Sequence, residues 1–411
     1  MASEVLTLNN KLQSTLIHEE DKSLPIVSLQ LVFEHSGAIA NGEKAGLAKV
    51  VARLLGEGTK KDGPIAFAES LESKAIHLSA SNGTETFVFE LSSLKSEFQD
   101  GINAFKALLL DPNFTQESLD KVKTKMIGAL LQKKNDFDYV AGVALKGLLF
   151  EGTDLAQPSS GTEESLKNIT LDDVKNFYNE HIVQANAIAV VGGDISKKIA
   201  NDDVTQLLDL LPEGQKVDLP HITVRQKAKE IILTKETKQA FVYFGSPLDL
   251  EVNDSDNYKA RVAMYILGAG GFGSRLMEEI RVKRGLAYSA YARMSVSRSH
   301  SYVTGHLQTK LETGKEALDI VKAEFKRFVK DGVTQEELDG AKAFLLGSEP
   351  LRTETLSQRL SRTFMSFYKG LPLDSNEKEL ELIQALELSD LNSFIKDHKE
   401  ILDLSVVTVT K

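Results

Sequence analysis

The chain has 411 residues, eight histidines, no cysteine and a formal net charge of −10. The missing thiols exclude a disulfide framework, thiolate zinc sites, iron–sulfur clusters and a cysteine nucleophile, and the acidic balance argues against nucleic acid or anionic lipid as the main partner. At ~100–200 residues per domain the length implies two or three domains, with enough core to fold without a staple. No apolar run reaches the roughly 20 residues that span a bilayer. The opening Met1-Ala-Ser-Glu-Val-Leu-Thr7 lacks a basic region followed by an apolar one, so no signal peptide is expected. That leaves the compartment open between the cytoplasm and, with a signal removed, the periplasm.

In chain order, alternating apolar residues predict strands over 26–33, 77–81 and 86–91. A helix is predicted over 45–55, ending near Gly56, and an amphipathic helix over 97–110. The β-branched run 187–191 predicts a closing strand, and residues 211–225, rich in proline, glycine and charge, read as a hinge. The pattern then begins again. A strand over 239–244 precedes a helix over 257–267 that ends at Gly268, strands over 286–294 and 301–307, a helix over 314–330 and a run over 404–408. On the helix 314–330, Ala317, Leu318, Ile320, Val321 and Phe325 recur at helical spacing.

The restart is also literal. Residues 114–123 and 333–342 share Thr, Gln, Glu, Leu, Asp and Lys in one register; residues 169–181 and 386–398 share Asp173/Asp390, Phe177/Phe394 and His181/His398. Thr334 and Glu337 form a capping box, and Thr115 is an N-cap for the matching helix. Such order at nearly one offset, 219 and then 217, points to duplication of a half-length unit. The expected fold class is α+β, with two homologous α/β-roll units and antiparallel-rich sheets packed against helices. The units are expected over 1–212 and 227–411, joined by a linker at 213–226.

The stretch Gly271-Phe-Gly-Ser-Arg-Leu-Met-Glu-Glu-Ile-Arg281-Val-Lys-Arg-Gly-Leu-Ala-Tyr288 resembles the C-terminal half of the pitrilysin, insulin-degrading enzyme and mitochondrial processing peptidase family. On its own, Arg281 reads as an exposed helical cation and Tyr288 as a packing aromatic. The resemblance implies more. A clamshell encloses a chamber, Arg281 and Tyr288 hold the substrate backbone and assist the tetrahedral intermediate, and the loop at Gly271 and Gly273 helps admit substrate. Guanidinium and phenol are fixed donors suited to a developing oxyanion.

The same family carries an inverted zinc motif, His-x-x-Glu-His, on a helix between a Gly-Leu-Ala lead-in and a Gly-Thr. This chain keeps the frame, Gly46-Leu-Ala-Lys-Val-Val-Ala-Arg-Leu-Leu-Gly-Glu-Gly-Thr59, but its histidine positions are Lys49 and Arg53 and its glutamate position is Ala52. Histidines at i and i+4 share one helix face and bind one metal, whereas protonated Lys and Arg do not. The family's distal glutamate is expected near Ala129, in a stretch from Lys121 to Asn135 without an acidic residue. No metal is therefore expected on this chain. None of the eight histidines lies three to five residues from another. His300 and His306 are expected to be a structural pair, and His181 and His398 to be charged caps at helix C-termini.

The resemblance covers the whole chain and implies a non-catalytic subunit of a heterodimeric zinc metallopeptidase. Its homologous partner bears the zinc, and its substrates are peptides or unfolded polypeptides, with basic ones favoured if the acidic charge lines the chamber. The alternative is a structural or assembly protein of the same fold, like the respiratory-complex core proteins. Gly268-Ala-Gly-Gly-Phe-Gly273 follows a helix rather than a strand, so it reads as a helix-to-helix turn and not a phosphate loop.

Overall fold

A computed structural model describes residues 3–224 and 227–411. Arg225 and Gln226, at the end of the expected linker, lie outside the described residues; residues 212–224 have no regular secondary structure. The strands are β1 (Glu4–Thr7), β2 (Thr15–Glu20), β3 (Ile26–Glu34), β4 (His77–Asn82), β5 (Thr86–Leu94) and β6 (Ala187–Gly193), then β7 (Glu230–Thr234), β8 (Gln239–Pro247), β9 (Ala287–Val296), β10 (Ser301–Lys310) and β11 (Ser405–Thr410). They form one sheet in the order β1-β2-β6-β3-β5-β4 and another in the order β7-β11-β8-β10-β9. Apart from β1 the two orders are the same, and each holds one parallel pair, β2 with β6 and β7 with β11. The fold is α+β with antiparallel-rich sheets against helices.

The elements follow from local pattern. Along β3 the odd residues Val27, Leu29, Leu31 and Phe33 are buried, and the register Phe33↔Phe87 with Leu31↔Phe89 gathers rings on one face. Phe89 lies 5.9 Å from Phe33 and 5.3 Å from Phe105 of the helix Phe98–Leu110. In the second sheet Phe244 meets Phe325 of the helix Gly314–Asp331 edge-on at 5.8 Å. The expected capping box is present: Thr334 Oγ1 accepts from Glu337 N at 3.2 Å and Thr334 N donates to the Glu337 carboxylate at 2.8 Å. Thr115 Oγ1 accepts from Ser118 N at 3.3 Å at the start of the matching helix Gln116–Lys133.

The compact units differ from contiguous halves of the chain. One comprises the chain up to Leu131 with Gln157–Leu219 and Arg352–Met365; the other comprises Gln132–Ala156, Pro220–Leu351 and Ser366–Lys411. Each repeat thus lends a segment to the other repeat's sheet. In the first unit, β6 is buried at every residue, which requires cover on both faces. Leu356 and Leu360 of the borrowed helix Leu356–Tyr368 supply it, so close that a Cβ on Gly192 would collide with Leu360 Cδ1. In the second unit, the borrowed helix Phe137–Leu149 packs on β8 and β11.

The duplicated histidines have diverged. His181 ends the helix Leu171–His181, where burial, with His35 adding, lowers its pKa. It is therefore neutral near pH 7, and the expected charged cap is corrected there, because the cost of burying the imidazolium outweighs the helix dipole. His398 follows the helix Leu388–Asp397. Burial opposes its charge as well, but the Glu400 carboxylate 2.7 Å from Nδ1 outweighs it and raises the pKa, with Asp249 and Asp254 adding. The stability this supplies is fully present below the unfolded value of about 6.5 and is lost as pH rises through the higher folded value. His398→Gln is expected to lower the thermal midpoint at pH 6 and to cost much less near pH 9. Equal losses at both pH values would contradict the assignment of charge.

Candidate functional site

The candidate residues lie in two different compact units. In the first, the helix Leu47–Leu55 buries Leu47, Ala48, Val50, Val51, Ala52, Leu54 and Leu55, as its amphipathic spacing dictates. It packs against β4 and the helix Leu171–His181. Lys49 is half-buried and donates from Nζ to Ser160 Oγ at 2.8 Å; Arg53 is exposed. Ala52 is a buried methyl that takes no proton from water. Four residues beyond Arg53, buried Glu57 receives Lys121 Nζ at 2.6 Å and Lys125 Nζ at 3.2 Å. Both lysines come from the helix Gln116–Lys133, which carries Ala129, exposed, one turn further on.

The retained zinc frame is thus filled by cations and by one carboxylate that two ammonium groups already neutralise. Among the described residues, no three His, Cys, Asp or Glu side chains are grouped so as to hold a metal ion. The residues present do not fit zinc, which needs deprotonated nitrogen, sulfur or oxygen ligands. Glu57 escaped the sequence reading because its partners come from a helix more than sixty residues away. Burial works to raise its pKa, but the two lysines hold the carboxyl below the usual range. Its stabilising contribution is present above the unfolded value of about 4.3 and fades as pH falls through the lower folded value. Glu57→Gln is expected to cost about 1 kcal/mol at neutral pH, the partners being partly exposed. The difference narrows as pH falls below about 4.3, and denaturant unfolding at neutral and acid pH checks this.

In the second unit the helix Asn257–Met264 runs into a π turn at Tyr265–Ala269, then a 3-10 turn at Gly271–Gly273, the short helix Arg275–Met277 and a second π turn at Glu278–Val282. The glycine stretch is therefore a helix-to-helix link, as expected from its position. Wide turns of this kind re-aim side chains and are frequent at functional sites. A Cβ at Gly271 or Gly273 would meet no atom within 4 Å, so the loop surface is open there. Gly285, at φ +61°, takes the left-handed conformation that turns the chain back. That return places Tyr288, the second residue of edge strand β9, against Arg281.

The Arg281 guanidinium carbon lies 4.4 Å from the Tyr288 ring centre and 4.5 Å from that of Phe272. Tyr288 is 81 % exposed and Phe272 66 % exposed, so Tyr288 is not a core aromatic. Arg281 is half-buried, and its guanidinium donates to no described residue. The neighbouring arginine is the opposite case. Arg275 forks onto Glu337 at 2.6 and 2.7 Å and donates to Gly332 O at 2.8 Å. One arginine is spent on the fold and the other is left with its donors available. The sequence reading missed Phe272, although its position between two glycines of the loop was the available signal.

His300 and His306 have separate aromatic surroundings. His300 stacks on Tyr302 at 5.6 Å and meets Phe150 edge-on at 5.2 Å, whereas His306 lies between Tyr243 at 4.8 Å and Tyr291 at 4.3 Å. No described helix is long and apolar enough to cross a membrane.

Residues 15–163 match the family described as insulinase (peptidase family M16), and residues 168–345 match the peptidase M16 inactive domain. A Helicobacter pylori protein named non-peptidase homolog YmxG is 44 % identical over 401 residues, covering 98 % of this chain and 93 % of that one. The crystal structure of a peptidase M16 inactive domain from Pseudomonas fluorescens superposes with a TM-score of 0.90 at 25 % identity, covering 99 % of this chain and 98 % of the other. A second structure, of a protease from Helicobacter pylori, is similar in fold with a TM-score of 0.88 at 16 % identity, covering 100 % and 99 %. Two matched domains, the near-complete coverage and a zinc frame without its ligands place this chain in peptidase family M16, as a homologue that lacks the inverted zinc motif.

Proposed function

We propose that this chain is the metal-free subunit of a heterodimeric zinc metallopeptidase. A homologous subunit with an intact His-x-x-Glu-His supplies the zinc and the glutamate that activates water. This chain supplies Arg281 and Tyr288, and the open loop at Gly271 and Gly273 lets a peptide or unfolded segment reach them. The observation that carries the reading is the uncommitted guanidinium of Arg281, stacked on an exposed tyrosine in a chain whose zinc frame holds Lys49, Ala52 and Arg53. Donors already fixed before the reaction stabilise the charge that develops on a carbonyl oxygen and lose little to reorganisation. Uncompensated arginine is otherwise a poor use of a surface aromatic, since an exposed cation–π contact contributes only about 0.5–1 kcal/mol.

The test is complementation. The purified chain is mixed with a zinc-bearing homologue encoded by the same genome, and cleavage of an unstructured peptide is followed. Zinc-dependent cleavage is expected in the mixture and in neither protein alone. A stable pair that cleaves nothing would instead favour the structural or assembly role.

A further inference from the structure

We propose that Phe272 is a positioning residue for Arg281, and that Phe272 and Tyr288 together clamp the guanidinium to receive the carboxylate of a peptide. The inference rests on the reading that Arg281 meets a peptide. Phe272 projects from the loop between two glycines and remains 66 % exposed, so its ring is not held by the core and is available to a neighbour. That neighbour is Arg281, whose guanidinium carbon is nearly equidistant from the two rings, at 4.5 and 4.4 Å.

The geometry limits what the cation can do. Rings packed this close to a guanidinium shed water from it, while its N–H donors stay in its own plane. In-plane donors form the planar fork that matches a carboxylate with two parallel hydrogen bonds. The surrounding charges leave that fork unused. Lys283 Nζ is 2.7 Å from the Glu279 carboxylate, Arg284 is paired with the same group, and Arg275 is held by Glu337. Glu278, one turn from Arg281, makes no ion pair with it. Among the described residues, Arg281 is thus the one cation of residues 275–284 without a carboxylate partner. An overall charge of −10 points toward basic peptides, but this site points toward a peptide carboxylate, either a free C-terminus or an Asp or Glu side chain.

The test uses the full chain alone, so that it does not depend on a zinc-bearing partner. Fluorescence anisotropy at low salt compares a short labelled peptide bearing Asp, Glu and a free C-terminus with its Asn, Gln and amidated counterpart. The wild-type chain is expected to prefer the acidic peptide by about tenfold, as one bidentate charged pair allows. Arg281→Ala should abolish the preference. Phe272→Leu should weaken acidic-peptide binding about fivefold, a loss of the size expected for one cation–π contact, whereas Phe272→Tyr should restore it. Thermal midpoints should not change, because the ring packs on no core residue. If Phe272→Leu binds as the wild type does while Arg281→Ala does not, the positioning role is wrong. Equal binding of the two peptides, or none, overturns the carboxylate assignment. Wild-type binding by Arg281→Ala removes the underlying reading of the site itself.

Discussion

Arg281→Ala is expected to lower kcat of the reconstituted peptidase by about 100-fold, the size of effect seen when one donor to a developing oxyanion is removed. With an amidated substrate that has no acidic side chain, KM should change far less, because the interaction then strengthens only as charge gathers on the carbonyl oxygen. Tyr288→Phe keeps the ring that stacks on Arg281 and removes only the hydroxyl, so its loss should be smaller, about tenfold. Neither change should move the thermal midpoint. Arg281 donates to no described residue and Tyr288 is 81 % exposed, so little of the fold depends on them. Steady-state kinetics of the mixture with each variant checks both numbers. A rise in KM with kcat intact would make Arg281 a binding residue alone.

The second large effect concerns the exchanged helix. Arg359→Ala is expected to destabilise the first unit by about 3 kcal/mol, near the lower end for removing one partner of a buried ion pair. The Glu19 side chain is 1 % exposed and receives Arg359 Nε at 2.7 Å; Asp21 receives a second guanidinium nitrogen at 3.1 Å. The same guanidinium reaches the carbonyl oxygen of Glu354 at 3.2 Å. Without it, Glu19 keeps, among the described residues, the Ser3 hydroxyl at 2.5 Å. Arg359→Lys retains the charge but not the fork and should cost about 1 kcal/mol. Urea unfolding of the three proteins checks the order. Equal stability would show that the borrowed helix is held by Leu356 and Leu360 without the ion pair.

Much of the fold was legible in the sequence, because the signals were local. Alternation located β3, β5, β9 and β10, helical spacing located Gly314–Asp331, and Thr334 with Glu337 marked a helix start. The duplication pointed to two homologous α/β units, and the two sheets share their strand order apart from β1. The exchange of segments was not legible. Nothing local in residues 132–156 or 352–365 says which sheet their apolar faces cover, and the choice is made by packing between residues far apart in sequence. The site divides in the same way. The absence of the inverted zinc motif's ligands was legible at Lys49, Ala52 and Arg53 because ligand chemistry is a property of residue type. The Lys121–Glu57–Lys125 cluster and the Phe272 contact with Arg281 depend on how helices and turns bring side chains together. The identical-looking His181 and His398 ended with opposite pKa shifts because Glu400 has no counterpart at the first site.

The central claim is that catalytic metal and assisting donors are divided between two chains. Zinc content measured on the isolated chain, on the zinc-bearing homologue and on their purified complex, alongside peptide cleavage by the complex carrying Arg281→Ala and Tyr288→Phe together, tests it most directly. The account predicts no zinc on this chain, one zinc per complex, and cleavage that collapses in the double variant while zinc is retained. Stoichiometric zinc on the isolated chain, or full cleavage by the double variant, would contradict it.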